Sequence, residues 1–567
     1  MKKIVTISAV FLTLLSFSPI SASAQIEYRE VPTEWQHLVE GGSFIDRIMP
    51  MPKGKLSMDS WGALNVQPRY IDNGIEDNKI SYWGGNIVKE SDNKYHLFVS
   101  GWYENNPRGH MGWYDASYVF HATCDNSIGP FIVQDTLGHG HNTEIVKLKN
   151  GKFMVYHIGG RGGDEHTDCL RYISDNLNGP WTQEELKWNL RDRSRHDGVG
   201  GTSQGNWYHN MSFTTREDGS VVMVNRGGKI FISRDGLEEF GCISENTVYP
   251  KTAGRYEDPL IWRDNVQYNM IVNDWIGRTA FYLRSKDGVD WVADPGQAYV
   301  PGVSVHEDGR VEDWYKYERV RVLQDEWGRA EQINFAVIDT IKMDDLPNDN
   351  HSSKNIGMPL NKGLLLEVLN SEPFTRKTKE ILVKIKAEKG FNPAEDLDIE
   401  SLHFGASSEV NFGRGAKVLK TEKSGDDLIV VFSGENHCIA EDEFAPKLLG
   451  KDKNGEMVFG YSRLKWIDYN PAILSALKPT VSGSKMYVEI ENLGVSASKS
   501  SFVTISSYNS DGVQTQVGSA VVKAIEPYGK CKVAINLDVK ATELIGKPIV
   551  VKIGTGVESS SSFRVEL

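Results

Sequence analysis

Between residues 83 and 337, short apolar runs alternate with polar punctuation at the two-residue period of β-strands. Five segments share one plan: a polar start, an apolar strand, a tight turn, and a second apolar strand. The first is Trp83-Gly84-Gly85-Asn86-Ile87-Val88, turning at Asp92-Asn93 into 95–99. The second runs from His141-Asn142-Thr143-Glu144 through Asn150-Gly151 into 153–157. The third begins at Tyr208-His209-Asn210 and turns at Asp218-Gly219 into 221–224. The fourth is Tyr256-Glu257-Asp258-Pro259-Leu260-Ile261, turning at Asp264-Asn265 into 268–272. The fifth is Tyr317-Glu318-Arg319-Val320, turning near Trp327-Gly328 into 333–337. Asn-Gly and Asp-Gly between such runs are hairpin signals, because both turn residues tolerate positive φ.

A second hairpin follows most of these, marked by Asp125-Asn126…Gly129-Pro130-Phe131, Asp175-Asn176…Gly179-Pro180-Trp181, Asp235-Gly236 and Asp287-Gly288…Trp291. Segment starts are spaced about 50 to 70 residues apart, enough for a four-stranded unit. The pattern predicts an all-β chain with a five-bladed β-propeller over 25–355. Beyond about residue 360 strands continue without the blade signature. There the expectation is a β-sandwich over 356–469 and, after Asn470-Pro471, an immunoglobulin-like sandwich over 470–567.

Composition sharpens the division. Of 14 tryptophans, only Trp466 lies beyond Trp327. Residues 1–24 read as a cleavable export signal: Lys2 and Lys3, then a short apolar run, then Ala22-Ser23-Ala24. The chain is therefore expected to be secreted or periplasmic, without membrane insertion. A net charge of −13 argues against nucleic acid as a partner, since phosphate contacts need clustered Lys and Arg. The same charge repels an acidic polysaccharide at long range, so an acidic substrate requires a local basic pocket. The five cysteines contain no C-x-x-C, and their odd number leaves at least one thiol unpaired. Neither H-E-x-x-H, nor an EF-hand loop, nor a P-loop occurs, and neither cofactor nor metal is expected. Gly201-Thr202-Ser203-Gln204-Gly205 matches G-x-S-x-G but lacks the alternating β/α context that motif needs.

Polar residues at equivalent starts of successive blades converge on one central funnel. The converging set is Trp83 and Asn86; His141, Asn142 and Glu144; Tyr208, His209 and Asn210; Glu257 and Asp258; and Glu318 and Arg319. Glu257-Asp258 is the strongest chemical element. Two adjacent buried carboxylates repel, so one is expected to keep its proton and serve as a general acid. Adjacent strand residues face opposite ways, so only one should point into the funnel. The competing structural reading has Asp258 capping a turn and Glu257 paired with an arginine. Arg319 is suited to bidentate binding of a carboxylate or sulfate, or to a pair with Glu318. His306-Glu307-Asp308 falls in an inter-blade loop.

Tyr256-Glu257-Asp258-Pro259 resembles the E-G-P strand of family-43 glycoside hydrolases, with Asp258 in place of the glycine. Tyr317-Glu318-Arg319 with Asp325-Glu326-Trp327-Gly328 is similar to the last blade of family-117-type propeller glycosidases. The resemblance implies a five-bladed catalytic propeller with Glu257 as general acid, and it keeps His209 and His306 as alternatives. Family-43 enzymes carry a basic Asp at the start of blade one, whereas this sequence reads Tyr82-Trp83-Gly84-Gly85-Asn86. Asp115, Glu144 and Asp197 are the candidate substitutes.

Three functions follow. The first is exo-acting hydrolysis of acidic oligosaccharides from algal or plant polysaccharide, with Glu257 or Asp258 as acid. The second is β-elimination at a uronic acid of an ulvan-like oligosaccharide, with His209 as base, Tyr208 or His141 as acid and Arg319 neutralising the carboxylate. The third is non-catalytic glycan binding.

Overall fold

The computed structural model describes residues 29–59, 69–159, 169–191, 210–252, 254–348, 353–508 and 512–554, and the backbone of 561–566. The expected leader, Asp197, the Gly201–Gly205 stretch, Tyr208 and His209 lie outside the described residues.

The chain is all-β. Five sheets follow one another around the innermost strands Ile80–Ser91, His141–Lys147, Ser212–Thr215, Tyr256–Arg263 and Lys316–Gln324. Four are antiparallel and open with that strand, while the third also takes in an earlier outer strand, Trp188–Asn189, paired in parallel with Phe240–Cys242. Each inner strand packs against that of the next sheet, and the fifth packs against the first, so the five strands close a ring. Burial falls from the centre outward. In the second sheet, Phe153–Ile158 is buried throughout while the outer Thr182–Glu185 is exposed throughout. The expected turns form at Gly151 and Gly219, with φ of +87° and +85°.

Apolar layers fill the spaces between sheets. Met154, Phe213 and Phe231 pack between the second and third. Val224, Ile261 and Val272 pack between the third and fourth. Trp262, Ile271, Val320 and Phe335 pack between the fourth and fifth. Each such side chain contributes roughly 1.5–3 kcal/mol by leaving water.

The second region departs from expectation. Ser353–Pro359 pairs with Ala330–Ile338, so the fifth sheet runs past the predicted boundary at 355. The strands after it form a closed seven-stranded barrel rather than a sandwich over 356–469. Closure rests on one parallel pairing of Leu364–Val368 with Met457–Tyr461. The alternation of Glu380–Ile385, exposed then buried, suits either architecture. Only the long-range pairing separates them, and periodicity does not encode it.

In the last region two four-stranded sheets share one core that includes Met486, Val488, Val503, Ile505 and Val551. Both later regions are tied to the ring. Arg47 donates to the Tyr461 hydroxyl (3.4 Å) and Arg463 to the Val266 carbonyl (2.7 Å). Ser475 donates to the Cys242 carbonyl (2.9 Å) and Arg216 to the Leu493 carbonyl (2.8 Å). All five cysteines are unbridged. Among the described residues no helix is long and apolar enough to cross a membrane.

Candidate active site

Four of the five inner strands carry the same irregularity near their starts. Two residues of the inner strand oppose one of its neighbour between Trp83 and Asn86, His141 and Glu144, Glu257 and Leu260, and Glu318 and Arg321. Each is a β-bulge with one extra residue. The residue after the first of each pair has positive φ: Gly84 (70°), Asn142 (58°), Asp258 (43°) and Arg319 (50°). In the third sheet Asn210, two residues before Ser212, has φ of 55°. Asn and Asp tolerate this region better than most side chains, and an arginine there is strained. The strain gathers at the ring centre.

The bulged residues bond to one another and to Glu257. The Asn142 amide donates to Asn210, whose own amide donates to Glu257 Oε1 (2.6 Å). Arg319 Nη1 donates to Asp258 Oδ1 (2.6 Å), and both side chains are buried. Arg319 is therefore engaged by Asp258, neither open to the funnel nor paired with Glu318. Gly84 completes the set. A Cβ built on it would lie 3.2 Å from Arg319 Cβ, so the arginine side chain packs directly over the first strand.

The residues following the bulges tie the sheets together. Asn86 exchanges two hydrogen bonds with the Ile145 backbone (2.9 and 2.7 Å). Glu144 accepts from Ser212 Oγ and the Phe213 N–H (3.0 Å each) and pairs with Arg321 across the ring (2.7 Å). Burial raises the Glu144 carboxyl, opposed by Arg321. Expected as substrate contacts, Asn86 and Glu144 instead bridge neighbouring sheets.

Two of the residues preceding the bulges are carboxylates, Glu257 and Glu318. Glu257 is the accessible carboxylate of the group, its side chain 19% exposed, with Arg226 at 3.3 Å. Burial raises its pKa; Arg226 and Lys342 oppose the rise, while Asp258 and Glu318 add to it. Glu318 is gripped by Lys316 (2.9 Å) and Lys342. Burial alone would raise its carboxyl, but the two ammonium groups hold it down at about 2. Two carboxylates on adjacent inner strands are thus driven apart in pKa, the pattern that separates proton donors from fixed anions.

Aromatic rings wall the other side. Trp83 is buried beneath the Lys342 ammonium, 4.5 Å from the ring centroid, and meets His110 edge-on at 4.7 Å. His141 stacks on Trp113 (4.4 Å) and bonds to Ser117 Oγ (3.0 Å). His110 is held neutral by burial and by Lys342. His306 belongs to another cluster, with Glu312 at 3.3 Å and the Tyr70 ring at 4.5 Å.

Sequence reasoning missed Arg226, Lys316, Lys342 and His110. Lys316 was recoverable, since it lies two residues before Glu318 on one strand and so shares its face. Arg226 and Lys342 reach the site from turns, and His110 from the short 3-10 helix Gly109–Gly112. Among the described residues no group of three or more His, Cys, Asp or Glu is arranged to hold a metal.

No family profile matches the sequence, and neither does any curated protein. Among solved structures the chain is similar to family-43 glycoside hydrolases. An endo-1,5-α-L-arabinanase from Thermotoga petrophila is 11% identical, covering 83% of this chain and 100% of its own, at a TM-score of 0.32. A β-xylosidase/α-arabinofuranosidase from a compost metagenome, solved with xylotriose, is 12% identical over 52% of this chain and 94% of its own, at 0.33. An α-L-arabinofuranosidase from Lactobacillus brevis is 10% identical over 50% and 92%, at 0.34. The functional reading below rests on the side chains.

Proposed function

We propose that the chain is a glycoside hydrolase acting on the ends of oligosaccharides, and that its ring of five sheets is a five-bladed catalytic propeller. The observation that carries this reading is Glu257: a carboxyl at the centre of the ring, accessible, with its pKa raised by burial. Such a group holds its proton to higher pH than a free carboxyl does and gives it to the glycosidic oxygen as the C–O bond breaks. The Asn210 amide and Arg226 fix its orientation and receive the carboxylate that results.

The water's base must come from elsewhere than the first strand, where Gly84 lies under Arg319. Glu318 at about 2 is a weak proton acceptor and is held by two lysines. We assign the base to His209 on sequence order alone, since it precedes the third inner strand and lies outside the described residues. Residues 1–24 are assigned to export, which predicts a mature N-terminus at Gln25.

The test is incubation with oligosaccharides from plant and algal polysaccharides while following reducing sugar and ultraviolet absorbance together. Released reducing sugar without new absorbance supports hydrolysis. Absorbance from a new C=C bond assigns β-elimination instead. Measurable binding with neither product leaves a glycan-binding protein.

A further inference from the structure

The charges around Glu257 do not suit a neutral sugar. Among the described residues three cations surround the two carboxylates at the mouth: Arg226 on Glu257, and Lys316 and Lys342 on Glu318. Asp258 and Arg319 cancel each other in their buried pair. His110, against Trp83, is uncharged. With Glu257 ionised the mouth carries one surplus positive charge. With Glu257 protonated, as a general acid must be before reaction, Arg226 loses its counter-ion and the surplus becomes two.

These cations are partly desolvated. The side chains of Arg226 and Lys342 are 28% and 25% exposed. The Lys342 and Lys316 ammonium groups lie 4.5 Å and 5.1 Å from the rings of Trp83 and Trp275. Aromatic faces stabilise a cation but do not neutralise it. A chain of net charge −13 that gathers surplus positive charge at one polar mouth has built a local anion site.

We infer that the sugar bound at Glu257 carries an anionic substituent, a carboxylate or a sulfate, received by Arg226 and Lys342. This inference rests on the assignment of Glu257 as the acid. The ligand anion supplies the charge that Glu257 withdraws when it holds its proton. Binding therefore favours the protonated acid, and an anionic substrate primes its own proton donor. A neutral sugar gives no such coupling, and its hydroxyls leave the surplus unpaired.

The test compares one oligosaccharide library in three forms: untreated, carboxyl-reduced and desulfated. Reducing-sugar release is measured with the natural protein, and affinity by calorimetry with Glu257→Gln. Turnover and affinity falling about tenfold or more after carboxyl reduction identify a uronate; the same fall after desulfation identifies a sulfate ester. Lys342→Met should abolish the preference and Lys342→Arg retain it, whereas a purely structural lysine would alter all three libraries alike. Equal affinity and turnover on the three forms overturn the inference while leaving the hydrolase intact. Preferential binding of the anionic form by Glu257→Gln, without hydrolysis by the natural protein, upholds the anion site but removes the hydrolase reading and, with it, the priming of the acid. Absence of any preference in binding, with glucuronate and glucose 6-sulfate binding no better than glucose, overturns it as well.

Discussion

Glu257 is set by its neighbours, and each neighbour gives a separate handle on it. On the proposed reading, replacement by Gln removes the proton donor, and kcat should fall by about 10²–10⁴-fold with the fold retained. The remaining variants act on when the proton is held. Activity requires the protonated form, so kcat/KM should fall as pH rises through the raised pKa of Glu257. Arg226 lowers that pKa. Arg226→Met should therefore move the falling limb to higher pH. Glu318 raises it, so Glu318→Gln should move the limb to lower pH. Opposite displacements in the two pH–rate profiles would establish Glu257 as the titrating acid, and two unmoved limbs would remove it. Glu257 was legible in the sequence because Glu-Asp-Pro opens a strand. The cations that tune it were not, since Arg226 and Lys342 come from loops whose placement depends on the whole ring.

The inner strands act as one element because of the ties between them. Glu144 joins three sheets through Ser212, Phe213 and Arg321. Arg321→Met strands a buried carboxylate and should cost about 3–5 kcal/mol, read from the urea midpoint. Glu144→Gln with Arg321→Met removes both charges and should recover part of that loss. Gly85→Ala tests the bulge. Its φ is +85° and the new methyl would meet the Phe98 carbonyl oxygen at 2.2 Å. Loss of thermal stability is expected where Gly151→Ala, with open space around it, pays only for its turn conformation. The five strand starts could be read from sequence because each is followed by a local hairpin signal. The bulges could not, because an extra residue leaves no mark in an apolar–polar alternation that it merely interrupts.

Across the whole molecule, the segment that precedes the ring meets the barrel at a polar, buried joint. Lys447 donates to the Gly41 carbonyl and to Asn411 Oδ1, each at 2.6 Å. Burial, with Arg47 and Arg284 nearby, lowers its pKa to about 7. Free lysine titrates near 10.4, so between these values the unfolded chain binds the proton that the folded one has lost. Stability from this group therefore rises with pH from about 7 to about 10 and is absent below 7. The urea midpoint, followed by tryptophan fluorescence at pH 7 and 9.5, should rise in the natural chain and rise less in Lys447→Met. The barrel itself escaped sequence reading, since one pairing between strands about a hundred residues apart decides it. The two sheets of the last region were easier, because alternation alone requires only that two apolar faces meet.

The recurring kink has a consequence for how such a molecule changes its trade. Glycine, asparagine, aspartate and arginine occupy the same backbone conformation around the ring. The conformation belongs to the strand and not to the side chain it displays. Each position is a socket with a fixed seat and an exchangeable fitting. The fittings can differ from socket to socket, glycine in one and a charge in another, while the ring that holds them stays closed, but the buried pair Asp258 and Arg319 must change together.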